Sequence, residues 1–512
     1  MGIFHHVHAV WMMRLMFVLI AAAVRSNQFL FLSFILFIFM VFHTANGLWY
    51  GDFWMHSNVV RELATHPLFP RHPELLLSAP HAFYSPYSLT IAWMARVFNI
   101  NSITALSWAG IFNFLLFVIS LRMLIVLLLG EGKRPFYTLF FTLFLWGPGA
   151  WNYSGFFHFG VIGYVLPYPS TFAMGMVFLS LSMAILYLEN RSKWGLFLLL
   201  IFSVIILLTH PLSAIVLYAG ILALAIGHKN RGSPHLFIDS MFISAVIPLS
   251  FLIALAWPYY PLLKLVLSSG AVLDIDNSKM YHGLWWAIFP ALIGFPPLML
   301  RVKSNWKDPL ALMFMGLVIV YIYGGISNHF TYGRVISSIV LILHMALADW
   351  LCSNARFKSL PVGSKCLFVL ILFLSLLGIY HNCNAQSMGY MPGRKNDYSQ
   401  YLFLKKYTKQ YDVILSDQET SFIVPTFGGK VVALNCPLPF IEGYKTRQND
   451  LDRFFDKETT LNVREGIIKK YGVNFILINK DKLKNTALFQ NSDAFLGRQI
   501  YADKSFILFK VN

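Results

Sequence analysis

Charge is what this sequence has least of. Asp, Glu, Lys and Arg make up 12% of its residues, against about 25% in an ordinary soluble domain. A chain of 512 residues with so few charges cannot cover a globular surface with polar groups, so lipid must take the place of water over much of it. Cysteine is scarce too. Four residues, with no CxxC and no zinc spacing, exclude a disulfide framework and a zinc ribbon. The sequence has no Walker motif, no GxSxG, no Ser-His-Asp order and no nucleotide-binding glycine pattern. Repeats, low-complexity tracts and long linkers are absent from it as well.

What it has instead is apolar bulk. Hydrophobic residues reach 57% and aromatics 16%, with 47 Phe, and the mean hydropathy is +0.61. Such aromatics suit helices packed against acyl chains and belts of Trp and Tyr at the interface. Forty Lys and Arg against 23 Asp and Glu leave a formal charge of +17. In a soluble protein that excess points to nucleic acid. Here the basic residues fall in short loops between apolar runs, where membrane orientation explains them and no nucleic-acid partner is expected. Attraction to membrane lipids with anionic headgroups is a second use of the same charge.

Apolar runs of roughly 16–28 residues, the length a bilayer core demands of a helix, recur over the first three quarters of the chain. They predict about eleven spans, near 28–48, 104–130, 136–152, 170–188, 194–209, 212–227, 236–257, 284–300, 309–326, 335–351 and 365–382. His210-Pro211 separates two of them at a tight turn. Lys133/Arg134, Arg191/Lys193, Lys229/Arg231, Arg301/Lys303/Lys307 and Arg356/Lys358/Lys365 occupy every second loop, which the positive-inside rule turns to the cytoplasm. Loops 49–103, 153–169, 258–283 and 327–334 then face outward. Residues 1–27, basic at Arg14 and Arg25, read as a cytoplasmic or interfacial lead. Segment 84–98 reads as an interfacial helix on the outer face. The expectation is a polytopic α-helical protein, multi-pass in an inner or plasma membrane, with a cytoplasmic N-terminus and a transmembrane domain over 28–382.

From about residue 395 the composition changes to that of a soluble domain. Segments 412–416, 430–434, 473–478 and 505–511 read as short buried strands. Segments 447–456 and 462–471 read as helices, the second closing on Tyr471-Gly472. That order predicts a small extracytoplasmic α/β domain over 395–512. Cys383 and Cys436 both fall outside, where they can pair.

Chemistry-bearing residues collect in the first outer loop, 49–103. Asp52, His56, Arg61, Glu62, His66, Arg71, His72, Glu74 and His81 lie just beyond the first span. Asp52 and His56 are four apart, so a helix projects both from one face. A carboxylate there can act as general base or hold a divalent metal with help from His56. It can equally cap the helix 53–64, with His56 a surface residue. Arg334 begins a span on the outer side, where a cation binds an anion or serves as an interfacial anchor. His210 and His329 can hydrogen-bond a phosphate, or cap and pack. His81 and Tyr84 can line a groove for sugar or lipid, or belong to the interfacial belt.

The first span followed by Gly51-Asp52 and His56, then HPLFP, YSPYS and an interfacial helix, resembles the first outer loop of GT-C glycosyltransferases. That superfamily includes protein mannosyltransferases, oligosaccharyltransferases and aminoarabinose transferases. The chain is also similar to the family of multi-spanning proteins called 6-pyruvoyl-tetrahydropterin-synthase-related, although it carries no soluble pterin-synthase pattern. THPLS at 209–213, AWPYYP at 256–261 and the ending YGVNFILIN…FILFKV extend the likeness over nearly the whole chain. The resemblance implies a hexosyl- or pentosyltransferase with inversion, moving a sugar from a polyprenyl-phosphate donor to an acceptor that the sequence does not specify. It implies an acidic residue of this loop at the catalytic site, which makes Asp52 the candidate base; Arg334 is then the candidate to receive the lipid phosphate, and His56, Arg61, His81, Tyr84, His210 and His329 are substrate-binding candidates. Asp274 and Asp276 are candidates for a second carboxylate, and a divalent metal ion is the candidate cofactor. The alternatives are a transporter or flippase of lipid-linked envelope precursors, and a non-catalytic scaffold.

Overall fold

The computed structural model describes residues 27–49, 51–227, 236–268, 277–353, 398–434, 439–482 and 497–511, with scattered positions between 366 and 380. All of the expected lead 1–27 except Asn27, most of the expected span 365–382, Asp274, Asp276, Cys383 and Cys436 lie outside the described residues.

The helices begin where local chemistry stops them from beginning elsewhere. Helix α1 (Gln28–Asn46) starts at Asn27, whose side chain accepts from Leu30 N, and ends at Gly47 with φ 62°. After α2 (Phe53–Thr65) and α3 (Pro86–Val97), helix α4 (Ser102–Leu129) is capped by Asn101 Oδ1 at 2.9 Å from Thr104 N. Then follow α5 (Arg134–Phe144), α6 (Phe159–Val165), α7 (Pro169–Asn190), α8 (Lys193–Thr209), α9 (Pro211–Gly227) and α10 (Leu236–Ala254). Beyond them come α11 (Phe295–Ser304), α12 (Pro309–Ile326), a 3-10 turn at Phe330–Val335 and α13 (Ile336–Ser353). Among the described residues six helical stretches are long and apolar enough to cross a membrane, and α8 and α9 are shorter apolar helices. The chain is an integral membrane protein, predominantly helical.

Two expected spans are not single helices. Helix α5 stops at Phe144, and 284–300 is divided between Leu284–Ile288 and α11. Gly147-Pro148-Gly149 and Pro290 supply the breaks. The two irregular segments satisfy each other, since Gly147 N donates to Ala287 O at 2.8 Å. The approach is close enough to require glycine. A Cβ on Gly147 would lie 2.0 Å from the carbonyl oxygen of Trp286. Around this pair the bundle closes by small-residue packing, as where α4 meets α7 with Leu116 against Gly175.

The C-terminal residues form a five-stranded sheet in the order β2-β1-β3-β5-β4. Its strands are β1 (Val413–Leu415), β2 (Lys430–Val431), β3 (Val473–Asn479), β4 (Gly497–Ala502) and β5 (Phe506–Val511). The first three run parallel and the last two pair antiparallel. Helices α14 (Thr420–Phe427), α15 (Tyr444–Phe455) and α16 (Leu461–Tyr471) make the crossovers parallel strands require. Val413, Leu415, Phe454, Ile467, Ile476 and Phe509 share one apolar core between sheet and helices. Helix α16 ends at Gly472, whose φ of 60° glycine adopts without strain. Strand β4 and helix α14 were not evident from sequence pattern.

The first outer loop is joined to this sheet. Leu75 bridges to Val431, and Val431 N donates to Glu74 O at 2.7 Å. From α2, Arg61 donates to the carbonyls of Pro425 and Gly428, while Asn58 accepts from Thr426 Oγ1 at 2.7 Å. Glu62 gathers Arg71 N, Gln410 Nε2, Tyr411 OH and Lys430 Nζ, the last at 2.8 Å. This side of α2 is therefore consumed by docking.

Candidate active site

Helix α2 is anchored at its start by aromatic packing. Trp49 stacks on Phe53 at 4.7 Å between ring centroids, and Phe53 meets Trp54 edge-on. Gly51, at φ 60°, turns the chain just before the helix. Asp52 occupies the cap position, yet its backbone is already helical and its side chain makes no cap hydrogen bond. The capping role that spacing alone allows is therefore unfilled.

Asp52 is exposed at the surface, yet protein crowds round its carboxyl. Loss of solvation from that crowding raises its pKa, and the nearby charge of Arg334 opposes the rise. Arg334, in the 3-10 turn before α13, donates from Nε to Asn277 Oδ1 at 3.1 Å and lies over the Tyr153 ring at 5.7 Å. Asp52 and Arg334 therefore act on each other electrostatically, and among the described residues no ion pair within 4.0 Å joins them.

His210, in the turn between α8 and α9, feels both Arg334 and His56. Its Nδ1 accepts from Ser213 N at 3.3 Å and contacts Ser213 Oγ at 2.8 Å. His56 is 6% exposed and sits between the rings of Phe83 at 4.7 Å and Tyr168 at 5.2 Å. Burial pushes its pKa down to about 3, so the ring stays neutral. The Asp52–His56 turn, His210 and Arg334, three points far apart in the sequence, thus form one neighbourhood.

Other sequence candidates go elsewhere. Arg61 is committed to the sheet seam. Tyr84 is buried, donating from its hydroxyl to Arg71 O and accepting from Trp257 Nε1 at its backbone carbonyl. His81 is buried beside Glu74. His329 is exposed, bonded to Ser327 O at 3.0 Å and stacked on Tyr332. Among the described residues no hydrogen bond or ion pair joins His56 to Asp52, and neither belongs to a described group of three potential metal ligands. A cluster with metal-ligand chemistry does occur, at His72, Glu74 and His81. Asn277 and Tyr153, the partners of Arg334, carry no sequence signal that would single them out.

No family model matches the chain, and no curated protein matches it by sequence. Solved structures do. ArnT from Cupriavidus metallidurans bound to undecaprenyl phosphate aligns with a TM-score of 0.57 at 10% identity, over 95% of this chain and 98% of that one. The arabinofuranosyltransferase AftD from Mycobacteria aligns with a TM-score of 0.55 at 12% identity, over 95% of this chain and 40% of that one. The oligosaccharyltransferase AglB from Archaeoglobus fulgidus, in complex with an inhibitory peptide and a dolichol-phosphate, gives 0.52 at 11% identity, over 90% and 70%. The chain spans 66% of that archaeal protein's length in its apo form. This chain has a GT-C-like membrane glycosyltransferase fold.

Proposed function

We propose that the protein is a membrane glycosyltransferase that moves a sugar from a polyprenyl-phosphate lipid to an acceptor at the outer face of the membrane. The observation that carries this reading is the uncapped Asp52 carboxylate, held in electrostatic reach of Arg334 without being closed off by it. A carboxylate whose pKa burial has raised is a stronger base than an ordinary one. In the proposed step Asp52 accepts the proton of an acceptor hydroxyl or amine as that atom bonds to the anomeric carbon. The bond from anomeric carbon to phosphate oxygen breaks, and its electron pair leaves with the lipid phosphate. Arg334 meets the growing negative charge, and His210 lies within reach of the same anion. The neighbours that share the fold were solved with undecaprenyl phosphate and with a dolichol-phosphate, which supports a lipid-phosphate donor.

The orientation follows from the loops. Arg134, Arg191 and Arg301 lie at helix ends away from Asp52, and the positive-inside rule makes that side cytoplasmic. The active site, the first outer loop and the terminal sheet then face outward. Asp52→Asn keeps size and polarity but removes the base, and should lower sugar transfer by roughly 10²–10⁴-fold with normal expression and membrane insertion. Full transfer by that variant, in complementation or with purified lipid-linked donor, would remove Asp52 from the mechanism.

A further inference from the structure

His72, Glu74 and His81 belong to the first outer loop, and the step proposed for Asp52 uses none of them. All three are buried, at 0%, 0% and 3% exposure. Glu74 Oε2 lies 3.5 Å from His72 Nδ1 and 3.5 Å from His81 Nε2. That is long for a hydrogen bond. It is close to the roughly 3.4 Å that separates two ligands on a tetrahedral ion with bonds of about 2.0–2.1 Å. One donor atom from each residue falls within 4.8 Å of the others. Both Glu74 carboxylate oxygens, and Nε2 of each ring, have no hydrogen-bond partner in this buried interior. Asn58 approaches the carboxyl closely enough to favour its charged form without reaching hydrogen-bond geometry, and its amide is engaged by Phe422 O and Thr426 Oγ1. So many bare polar atoms in one buried cluster are unusual, and a bound ion accounts for two that face each other, Glu74 Oε2 and His81 Nε2.

We propose that His72 Nδ1, Glu74 Oε2 and His81 Nε2 hold a zinc-type divalent ion that fastens the first outer loop to the C-terminal sheet. Two imidazoles and one carboxylate suit Zn²⁺ or Co²⁺, whereas Mg²⁺ and Ca²⁺ take oxygen ligands. The position explains the use. Glu74 and Leu75 already pair with Val431, and Lys430 Nζ donates to the carbonyls of His72 at 2.8 Å and Pro73 at 2.9 Å. The positive charge of Lys430 does not stand alone against the ion, because Glu62 opposes it at 2.8 Å. The ion also sits behind the active site. The His81 ring packs on Phe83 at 5.3 Å, and Phe83 packs on His56 at 4.7 Å.

Ligation rearranges hydrogens locally. His81 Nδ1 accepts from Phe83 N at 3.2 Å, so binding through Nε2 moves the ring hydrogen to Nδ1 and opens that contact. His72 binds in the tautomer it already has, in exchange for contacts from Glu74 N at 3.3 Å and Leu75 N at 3.1 Å.

The full chain, purified in detergent with its affinity tag removed, stripped by chelator and dialysed against Zn²⁺, should retain about one zinc per chain by elemental mass spectrometry. Glu74→Gln should lose that zinc, and Asp52→Asn should keep it. His81→Cys preserves a donor, so the Co²⁺-loaded variant should gain a thiolate-to-cobalt absorption band that the wild type lacks. The proposal is overturned by a wild type that retains no zinc, or by Glu74→Gln retaining it. Loss of the zinc in Asp52→Asn would assign the ion to the active site instead, and a cobalt-loaded His81→Cys chain without the band would place it elsewhere. None of these readouts depends on sugar transfer.

Discussion

The two ends of the helix bundle handle charge in opposite ways. At the end expected to be cytoplasmic, three aspartates face arginines. Arg134 meets Asp349 at 2.7 Å, Arg301 meets Asp308 at 2.8 Å and also reaches Asp349, and Arg191 meets Asp239 at 2.9 Å. At the other end Asp52 and Arg334 influence each other without closing into a pair, and Arg334 spends a hydrogen bond on neutral Asn277. Paired charges fix loops; charges held near one another and left open are available to a ligand. The outer side holds a third arrangement, in which Lys430 and Glu62 form a pair that is 3% and 1% exposed and ties α2 to the sheet.

The comparison is sharpest at the buried pair. Lys430→Met leaves the Glu62 carboxylate inside without its cation, which should cost about 3–5 kcal/mol. A fall in thermal stability with proteolysis concentrated at 398–511 is the expected result; an unchanged melting curve would show that the seam does not depend on this pair. Arg334→Met should act in the opposite sense, keeping stability but lowering transfer by roughly 10²–10³-fold, as loss of a transition-state charge partner does. Its pH dependence gives a second check. Arg334 lowers the pKa of Asp52, so its removal leaves the effect of burial unopposed and the pKa rises further. Less carboxylate is then ionised at a given acidic pH, and the acidic limb of residual activity moves to higher pH. A limb that stays in place, or moves to lower pH, would break the link between the two residues.

Much of this division was legible in the sequence, for physical reasons. Length and hydropathy locate α1, α4, α7, α10 and α12, because a lipid-facing helix must be apolar along its length. Alternating burial cannot be read from the breaks, however. Segments 136–152 and 284–300 are apolar enough to span, and only their mutual contact at Gly147 and Ala287 makes the irregular backbone tolerable. In the site, Asp52 and Arg334 stood out because ionisable residues beside a bilayer are expensive. Arg61 stood out as one of the charged residues gathered in the first outer loop, but its carbonyl partners at Pro425 and Gly428 lie more than 360 positions away in the chain. Nothing local distinguishes an arginine that docks from one that binds a substrate. His72 and Glu74 were hidden for the converse reason, since burial decides their chemistry and a loop sequence does not display burial.

The smallest effect is expected where charge is most fully paired. Asp349 accepts from both Arg134 and Arg301 but is 17% exposed, so water already screens its interactions. Asp349→Asn keeps the shape, and Arg301 retains Asp308. The loss should be about 1 kcal/mol of stability, shrinking with added salt. Transfer measured on the intact fraction should be unchanged, because this residue and Asp52 lie at opposite ends of the bundle. The informative result is a comparison of Asp349→Asn with Arg334→Met under the same conditions. If the two lowered transfer alike, arginines at the two ends would be coupled through the helices, and the contrast between fastening charge and available charge would no longer hold.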